Sequence, residues 1–243
     1  MSNPLYVFDM DDTLIDGDCA MIWNAFLVEK GIVTDPEFLA KDHAMMDLYA
    51  AGEMDMATYL DFTLAPLTKL PQATVDALVE ECITTRVLPR QFREAQQLIG
   101  QLTAQHRPML IISATVSFIV RQVAQKIGIP DAIGIDLVVE NQCYTSQIDG
   151  IPSYREGKIR RLNDWIAAQP QSFSAIHFYT DSINDLPLCQ QADYVYLINP
   201  APVLSQQAEG KPHWHIYHWE KTESNVEKKT GSKNIVSGKM MLE

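Results

Sequence analysis

Two aspartates stand two positions apart, directly after a short apolar run near the start of the chain. Residues 5–8 are apolar, and Asp9, Met10 and Asp11 follow them. Side chains two positions apart in extended backbone point the same way. Aligned carboxylates repel each other unless a cation lies between them. This D-x-D-x-T pattern, which ends at Thr13, therefore predicts a cation-dependent site. A polar turn at the end of a strand would explain one aspartate but explains the pair poorly.

Two later segments carry groups that suit a bound anion. Ser113 directly follows an apolar run at residues 109–112 and precedes a predicted helix. A hydroxyl beside the free N–H groups of a helix start forms an anion site, although serine is also a common N-cap. Lys158 stands at another predicted helix start. A positive charge is unfavourable there, and a phosphate partner would remove that objection.

A fourth segment adds carboxylates after another predicted strand. Asp181, Asn184 and Asp185 follow the apolar residues 175–179. Hard divalent cations such as Mg²⁺ take carboxylate oxygens and keep several waters. The two aspartates could converge on such an ion, or they could belong to a polar loop with an Asp cap. In open α/β sheets, ligands bind beyond the carboxyl ends of the strands.

The elements that must position these groups form an α/β pattern. One strand at residues 5–8 is followed by a block of short helices, and from residue 89 helices and strands alternate. This pattern predicts a Rossmann-like parallel sheet core with an inserted all-helical cap. We assign residues 1–16 and 87–219 to the core, 17–86 to the cap and 220–243 to a flexible tail. The predicted helices are 91–104, 116–127, 157–168 and 184–190, the later strands are 109–112, 175–179 and 194–198, and a strand pair is predicted at 136–139 and 143–148.

The charge distribution excludes two classes of partner. The 243 residues carry a net charge of −12, and residues 1–88 account for all of it, with sixteen acidic and four basic side chains. A basic face for nucleic acid is therefore not expected, nor is docking on anionic lipid. No apolar run reaches the length of a membrane span, and the four cysteines show no paired spacing. We expect a cytoplasmic protein with reduced cysteines; its oligomeric state is left open.

Taken in order, these motifs resemble the haloacid dehalogenase superfamily of phosphotransferases. The helical insertion after the first motif is similar to the branch that includes the phosphoserine phosphatases. The resemblance covers residues 5–205 and includes the segment from Ala192 to Pro200, which is similar to the last core strand of that branch. It implies a Mg²⁺-dependent phosphatase that acts on a small-molecule phosphate ester through an aspartyl-phosphate intermediate.

The resemblance also implies a role for each matching residue. Asp9 would be the nucleophile, and Asp11 would protonate the leaving alcohol and then activate water. Mg²⁺ would be held by Asp9, the Asp11 carbonyl and Asp181, with Asp185 in support. The phosphate-binding residues would be Ser113, Ala114, Lys158 and Asn184, and Thr13 would fix the first loop.

Two departures from the phosphoserine phosphatase pattern bear on the substrate. The second motif usually reads Ser-Gly-Gly but here reads Ser-Ala-Thr, at residues 113–115, and the fourth usually reads Gly-Asp-Gly but here reads Thr-Asp-Ser, at 180–182. Phosphoserine therefore does not follow as the substrate; histidinol phosphate is another candidate. The acidic cap favours a cationic leaving group, with Asp18 placed to meet an amine, although solvated helix faces would explain the same charges.

Other interpretations remain open on the sequence alone. An alcohol could replace water as acceptor, which would make the protein a phosphotransferase, and a non-catalytic phosphoester-binding module is a further alternative. The cluster of His213, His215 and His218 could bind a metal, although a surface strand with packing tryptophans explains it better. The cap methionines, Met45, Met46, Met54 and Met56, are interpreted as packing residues.

Overall fold

A six-stranded parallel sheet forms the centre of the molecule. The computed structural model describes residues 3–222. The strands of the sheet are β1 (Asn3–Phe8), β2 (Met109–Val116), β3 (Asp131–Ile135), β6 (Phe173–Thr180), β7 (Tyr194–Ile198) and β8 (Trp214–Tyr217). Their order across the sheet is β3-β2-β1-β6-β7-β8, and every neighbouring pair is parallel. The predicted α/β core is confirmed.

The position of β1 explains where the motifs meet. The chain leaves β1 to build β2 and β3 on one side, and it later adds β6, β7 and β8 on the other. The crevice at such a reversal of strand order is the usual ligand site of open α/β sheets. Leu5, Val7 and Phe8 are fully buried, as expected for a strand covered on both faces.

Four helices connect β1 to the rest of the sheet. They are α1 (Cys19–Glu29), α2 (Phe38–Ala51), α3 (Met56–Leu64) and α4 (Gln72–Cys82). Asp18 caps α1 by accepting a hydrogen bond from the Met21 N–H, and Asp55 caps α3 in the same way through Thr58. No strand lies between β1 and β2 in this part of the described chain.

The remaining helices cover the sheet. They are α5 (Arg93–Ala104), α6 (Ser117–Ile127), α7 (Glu156–Ala167), α8 (Leu186–Cys189) and α9 (Pro202–Gln207). The predicted strand pair is an antiparallel hairpin of β4 (Leu137–Glu140) and β5 (Cys143–Ile148). Although we assigned it to the core, the hairpin contacts the helical segment, because Cys143 pairs with Pro71 and Tyr144 donates to Asp76 at 3.1 Å. The domain boundaries stay a prediction.

Two features of the sheet differ from the sequence prediction. The edge strand β3 was missed because it is short and carries Gly134 in its interior. A Cβ atom there would lie 2.7 Å from the Thr115 carbonyl oxygen, so glycine allows β3 to approach the end of β2. The strand β2 also runs through Val116, so Ser113 lies inside it and does not follow it.

Two further predictions concern the histidine cluster at 213–218 and the tail that was predicted from residue 220. The strand β8 is a surface strand in which His215 stacks on Tyr196, and no metal-binding group of His, Cys, Asp and Glu occurs in residues 3–222. Residues 220–222, the first three of the predicted tail, make the contacts described below. Residues 223–243 lie outside the described part. Within residues 3–222, no helix is both long enough and apolar enough to cross a membrane, and all four cysteines are free.

Candidate active site

A cavity of about 320 Å³ opens at the carboxyl edge of the sheet, beneath the inserted helices. Loops at the ends of β1 and β6 supply its acidic part. Apolar side chains come from α1, α2 and α3 and from the segment between α2 and α3. Its carboxylates are Asp9, Asp11, Asp12, Asp18 and Asp181, and its apolar wall includes Met21, Met46, Tyr49, Met54, Met56 and Tyr59. No Lys, Arg or His is among its lining residues within 3–222.

Asp9 is held at the end of β1 by the neighbouring strand and by a buried lysine. Its backbone N–H donates to the Tyr179 carbonyl at 2.8 Å, which continues the sheet pattern one residue past β1. Its Oδ1 atom lies 2.8 Å from the Lys158 Nζ atom. Burial raises the pKa of the Asp9 carboxyl to about 7, although the Lys158 ammonium lowers it. The positive charge of Lys158 therefore does not fully offset the effect of burial on the Asp9 carboxylate.

Lys158 projects from the first turn of α7 and is buried between two carboxylates. Its ammonium lies 2.8 Å from Asp9 and 2.7 Å from Asp185. Burial lowers the pKa of Lys158, but the Asp185 and Asp9 carboxylates outweigh burial and leave it above its ordinary value. The preceding Gly157 permits this placement, because a Cβ atom there would lie 1.9 Å from the Pro152 carbonyl oxygen.

Asp11 is fixed by three donors. The Cys19 N–H at the start of α1 donates to its Oδ1 atom at 2.7 Å, and the Ser113 and Thr115 hydroxyls donate to its Oδ2 atom at 3.1 and 2.8 Å. Ser153 donates to the Ser113 carbonyl at 2.5 Å and so ties the loop before α7 to β2. This network orients a carboxylate that faces the cavity.

Asp181 completes the acidic part of the cavity. Burial and the Asp9, Asp12 and Asp185 carboxylates raise the pKa of Asp181 well above its ordinary value, although the Thr13 hydroxyl donates to it at 3.2 Å. Carboxylates crowded in this way favour a hard divalent cation. In residues 3–222, no group of three or more His, Cys, Asp and Glu side chains is arranged so that it could hold a metal ion alone, but Mg²⁺ needs only a few protein oxygens because it retains waters. The donor set fits Mg²⁺.

The predicted site residues divide into two groups. Asp9, Asp11, Asp18, Ala114 and Asp181 line the cavity. The others lie behind its wall and bond to protein groups: they are Ser113, Lys158, Asn184 and Asp185.

The side chains of Asp185 and Asn184 contact other protein groups next to the cavity. The Asp185 carboxylate accepts from Lys158 and from the Thr180 hydroxyl at 2.7 Å. The Asn184 amide donates to the Tyr49 carbonyl at 2.9 Å and accepts from Tyr154 at 3.3 Å. These bonds join the loop after β6 to the end of α2 and to the segment before α7, and the Asn184 side chain is buried.

Three groups of cavity residues were not predicted. Thr115 reaches Asp11 because β2 continues past Ser113. Asp12, which adopts a positive φ of 51°, also lines the cavity. The methionines interpreted as packing residues both pack and line the cavity at Met46, Met54 and Met56. Among these residues, only Thr115 could have been suspected from the sequence, because the Ser-Ala-Thr sequence at 113–115 is unusual.

Comparisons of sequence identify relatives of this chain. The profile of the haloacid dehalogenase-like hydrolase family matches residues 6–190. A histidinol-phosphatase of Neisseria meningitidis serogroup C is 33% identical over 217 residues, which cover 85% of this chain and 95% of that protein. A probable phosphatase of Mycobacterium tuberculosis is 26% identical over 206 residues, which cover 83% of this chain and 70% of that protein.

Solved structures show the same architecture. A Bordetella pertussis protein of unknown function superposes with a TM-score of 0.81 at 29% identity, covering 89% of this chain and 98% of the other. A phospho-aspartyl intermediate analogue of phosphoserine phosphatase gives 0.64 at 17% identity, covering 89% and 94%, and shows a shared fold. The predicted resemblance is confirmed: the chain belongs to the haloacid dehalogenase-like hydrolase family.

Proposed function

We propose that this protein is a Mg²⁺-dependent phosphatase that hydrolyses a small phosphomonoester through phospho-Asp9. The observation that carries the proposal is the Asp9 carboxylate, which faces a cavity at the end of β1 while a buried lysine holds its Oδ1 atom. A carboxylate nucleophile needs this combination of access and fixed direction. The phosphatase names of two relatives support the same chemistry.

We assign each step of the proposed reaction to a residue. A carboxylate oxygen of Asp9 attacks phosphorus, a new O–P bond forms, and the bond to the alcohol oxygen breaks. Asp11 gives its proton to that oxygen and later removes a proton from the water that hydrolyses the phospho-enzyme, which releases phosphate and restores Asp9. Lys158 keeps Asp9 aligned and offsets negative charge. Mg²⁺, held by Asp9, the Asp11 carbonyl and Asp181, would neutralise the phosphate as it meets these carboxylates.

The cavity favours a substrate whose alcohol part carries an amine and no carboxylate. Asp18 lines the cavity and accepts a hydrogen bond from the Met21 N–H. No ion pair to Asp18 occurs among the described residues, and burial and the nearby Asp11 raise its pKa. Since the lining residues include no cation for a carboxylate, we place histidinol phosphate ahead of phosphoserine, in agreement with the name of the Neisseria relative.

A panel of phosphate esters tests this proposal. Purified protein with Mg²⁺ should release phosphate from p-nitrophenyl phosphate, and among metabolites histidinol phosphate should give the highest kcat/KM. Preference for phosphoserine or sugar phosphates would contradict the substrate assignment and leave the phosphatase reaction standing. Absence of turnover on every ester would contradict the reaction itself.

Mg²⁺ should raise the thermal stability of the protein. The ion relieves the repulsion among Asp9, Asp11 and Asp181, so a free concentration one hundred times its Kd should stabilise the fold by about 2.7 kcal/mol. Differential scanning fluorimetry at increasing Mg²⁺ measures this shift. Asp181→Asn should remove most of it, whereas Asp164→Asn on the exposed face of α7 should keep it. An equal shift in all three proteins would place the ion elsewhere.

Asp18→Asn should reduce selectivity for the amine. Asn caps a helix as well as Asp does, so the start of α1 should be retained while the negative charge is lost. We expect kcat/KM for histidinol phosphate to fall about tenfold, the cost of roughly 1.4 kcal/mol, and that for p-nitrophenyl phosphate to change less than twofold. Steady-state kinetics on both esters check this; an equal fall on both would assign Asp18 a structural role only.

A further inference from the structure

The segment after β8 contacts the loop that carries Asp9 and Asp11. We name residues 219–222 the C-terminal strap. Trp219 anchors it: the buried indole packs edge-on against Phe92 at 5.7 Å, and its backbone exchanges two hydrogen bonds with the Asn199 side chain. The Glu220 N–H donates to Glu94 on α5 at 3.1 Å. The strap is therefore fixed to the core before it reaches the loop.

The last two residues of the strap hold the Asp16 carboxylate. The Thr222 N–H and hydroxyl both donate to its Oδ2 atom, at 2.7 and 2.9 Å. The Lys221 ammonium lies 2.8 Å from its Oδ1 atom. Asp16 is fully buried, and a buried carboxylate is costly without such partners.

The same lysine reaches a residue of the cavity wall. Its ammonium lies 3.4 Å from an Asp12 carboxylate oxygen, and Asp12 has a φ of 51°, which is strained for a residue with a side chain. The Asp12 N–H donates to the Gly17 carbonyl, which closes the loop, and the Asp16 N–H donates to the Arg90 carbonyl. Lys221 thus bridges the middle and the exit of the loop that begins at the proposed nucleophile.

We propose that the C-terminal strap positions the loop of residues 9–17 for catalysis, with Lys221 as a positioning residue. The loop carries four carboxylates that repel one another, and Lys221, which is not among the cavity-lining residues, holds two of them, Asp12 and Asp16. The strap lies outside residues 6–190, which the family profile matches. The inference rests on the proposed function, because positioning has a kinetic consequence only if Asp9 is the nucleophile.

Three lysine variants of the full-length protein test the proposal. Lys221→Met should lower kcat for p-nitrophenyl phosphate about tenfold with KM within twofold, because misalignment of Asp9 slows the reaction without removing a substrate contact. Lys221→Arg should recover most of kcat. Lys211→Met is the matched control, because the Lys211 ammonium lies over the ring of Trp214, the first residue of β8. Its kcat should match that of the wild type.

Hydrogen exchange gives a readout that does not depend on activity. In Lys221→Met, amides of a peptide covering 9–17 should exchange faster, while those of β2, at 109–116, should not change. Unchanged loop exchange or unchanged kcat would overturn the proposal, as would faster exchange throughout the protein, which would indicate general destabilisation. If the wild type releases no phosphate, the proposed function fails and the exchange result alone decides whether the strap holds the loop.

Discussion

Asp9→Asn should abolish phosphate release, with kcat at least about 10⁴-fold below that of the wild type. The amide cannot form the acyl phosphate on which the proposed reaction depends. Folding should survive, because burial already disfavours the charge on this residue and Lys158 retains Asp185 as its partner. Phosphate release from p-nitrophenyl phosphate measures the loss, and urea unfolding measures the stability.

The covalent intermediate provides a sharper control. Wild-type protein quenched in acid during turnover should carry a phosphoryl group that Asp9→Asn lacks. Asp11→Asn should accumulate it, because the nitrophenolate leaves without a proton while the second step still requires a base. Intact-mass measurement distinguishes the three proteins. A phosphorylated Asp9→Asn protein would show that another residue is the nucleophile.

Lys158→Met should cost both stability and activity. The substitution leaves Asp9 and Asp185 buried without their shared counter-charge, and breaking a buried ion pair in this way costs about 3–5 kcal/mol. We expect the free energy of unfolding to fall by that amount and kcat to fall at least about 10²-fold. Urea denaturation and phosphate release measure the two effects on the same preparation.

A second substitution separates the structural from the catalytic role of this lysine. Lys158→Met combined with Asp185→Asn removes one of the unpaired charges, so part of the lost stability should return while activity should not. The surface ion pair of Lys126 and Glu80 offers a control: Lys126→Met should cost less than about 1 kcal/mol. Recovery of activity in the double variant would show that Lys158 acts only through stability.

Much of the core followed from local pattern. A continuous apolar run of five residues is typical of a parallel strand, and the run at residues 194–198 is β7 as predicted. The hairpin of β4 and β5 was likewise predicted from two β-prone runs around a turn, where Asn141 and Gln142 adopt positive φ. The strand β3 escaped because its five residues carry too little pattern once a glycine interrupts them.

The residues of the proposed reaction could be chosen from the sequence. Asp9, Asp11, Ser113, Lys158 and Asp181 stand out by their types and by their order along the chain, and neither depends on how distant segments pack. The family assignment followed from the same residues. The excess of acid in the first third of the chain also directed attention to the inserted helices and to Asp18.

The contacts that these side chains make could not be predicted from the sequence. Lys158 and Asp185 are 27 positions apart, and their ion pair exists because α7 and the loop after β6 converge behind Asp9. The hydrogen bond of Thr115 to Asp11 spans 104 positions, and Lys221 forms an ion pair with Asp16. The residues around Thr115 and Lys221 in the sequence do not predict these contacts. Side-chain contacts over such separations depend on sheet order and register, which are properties of the whole fold.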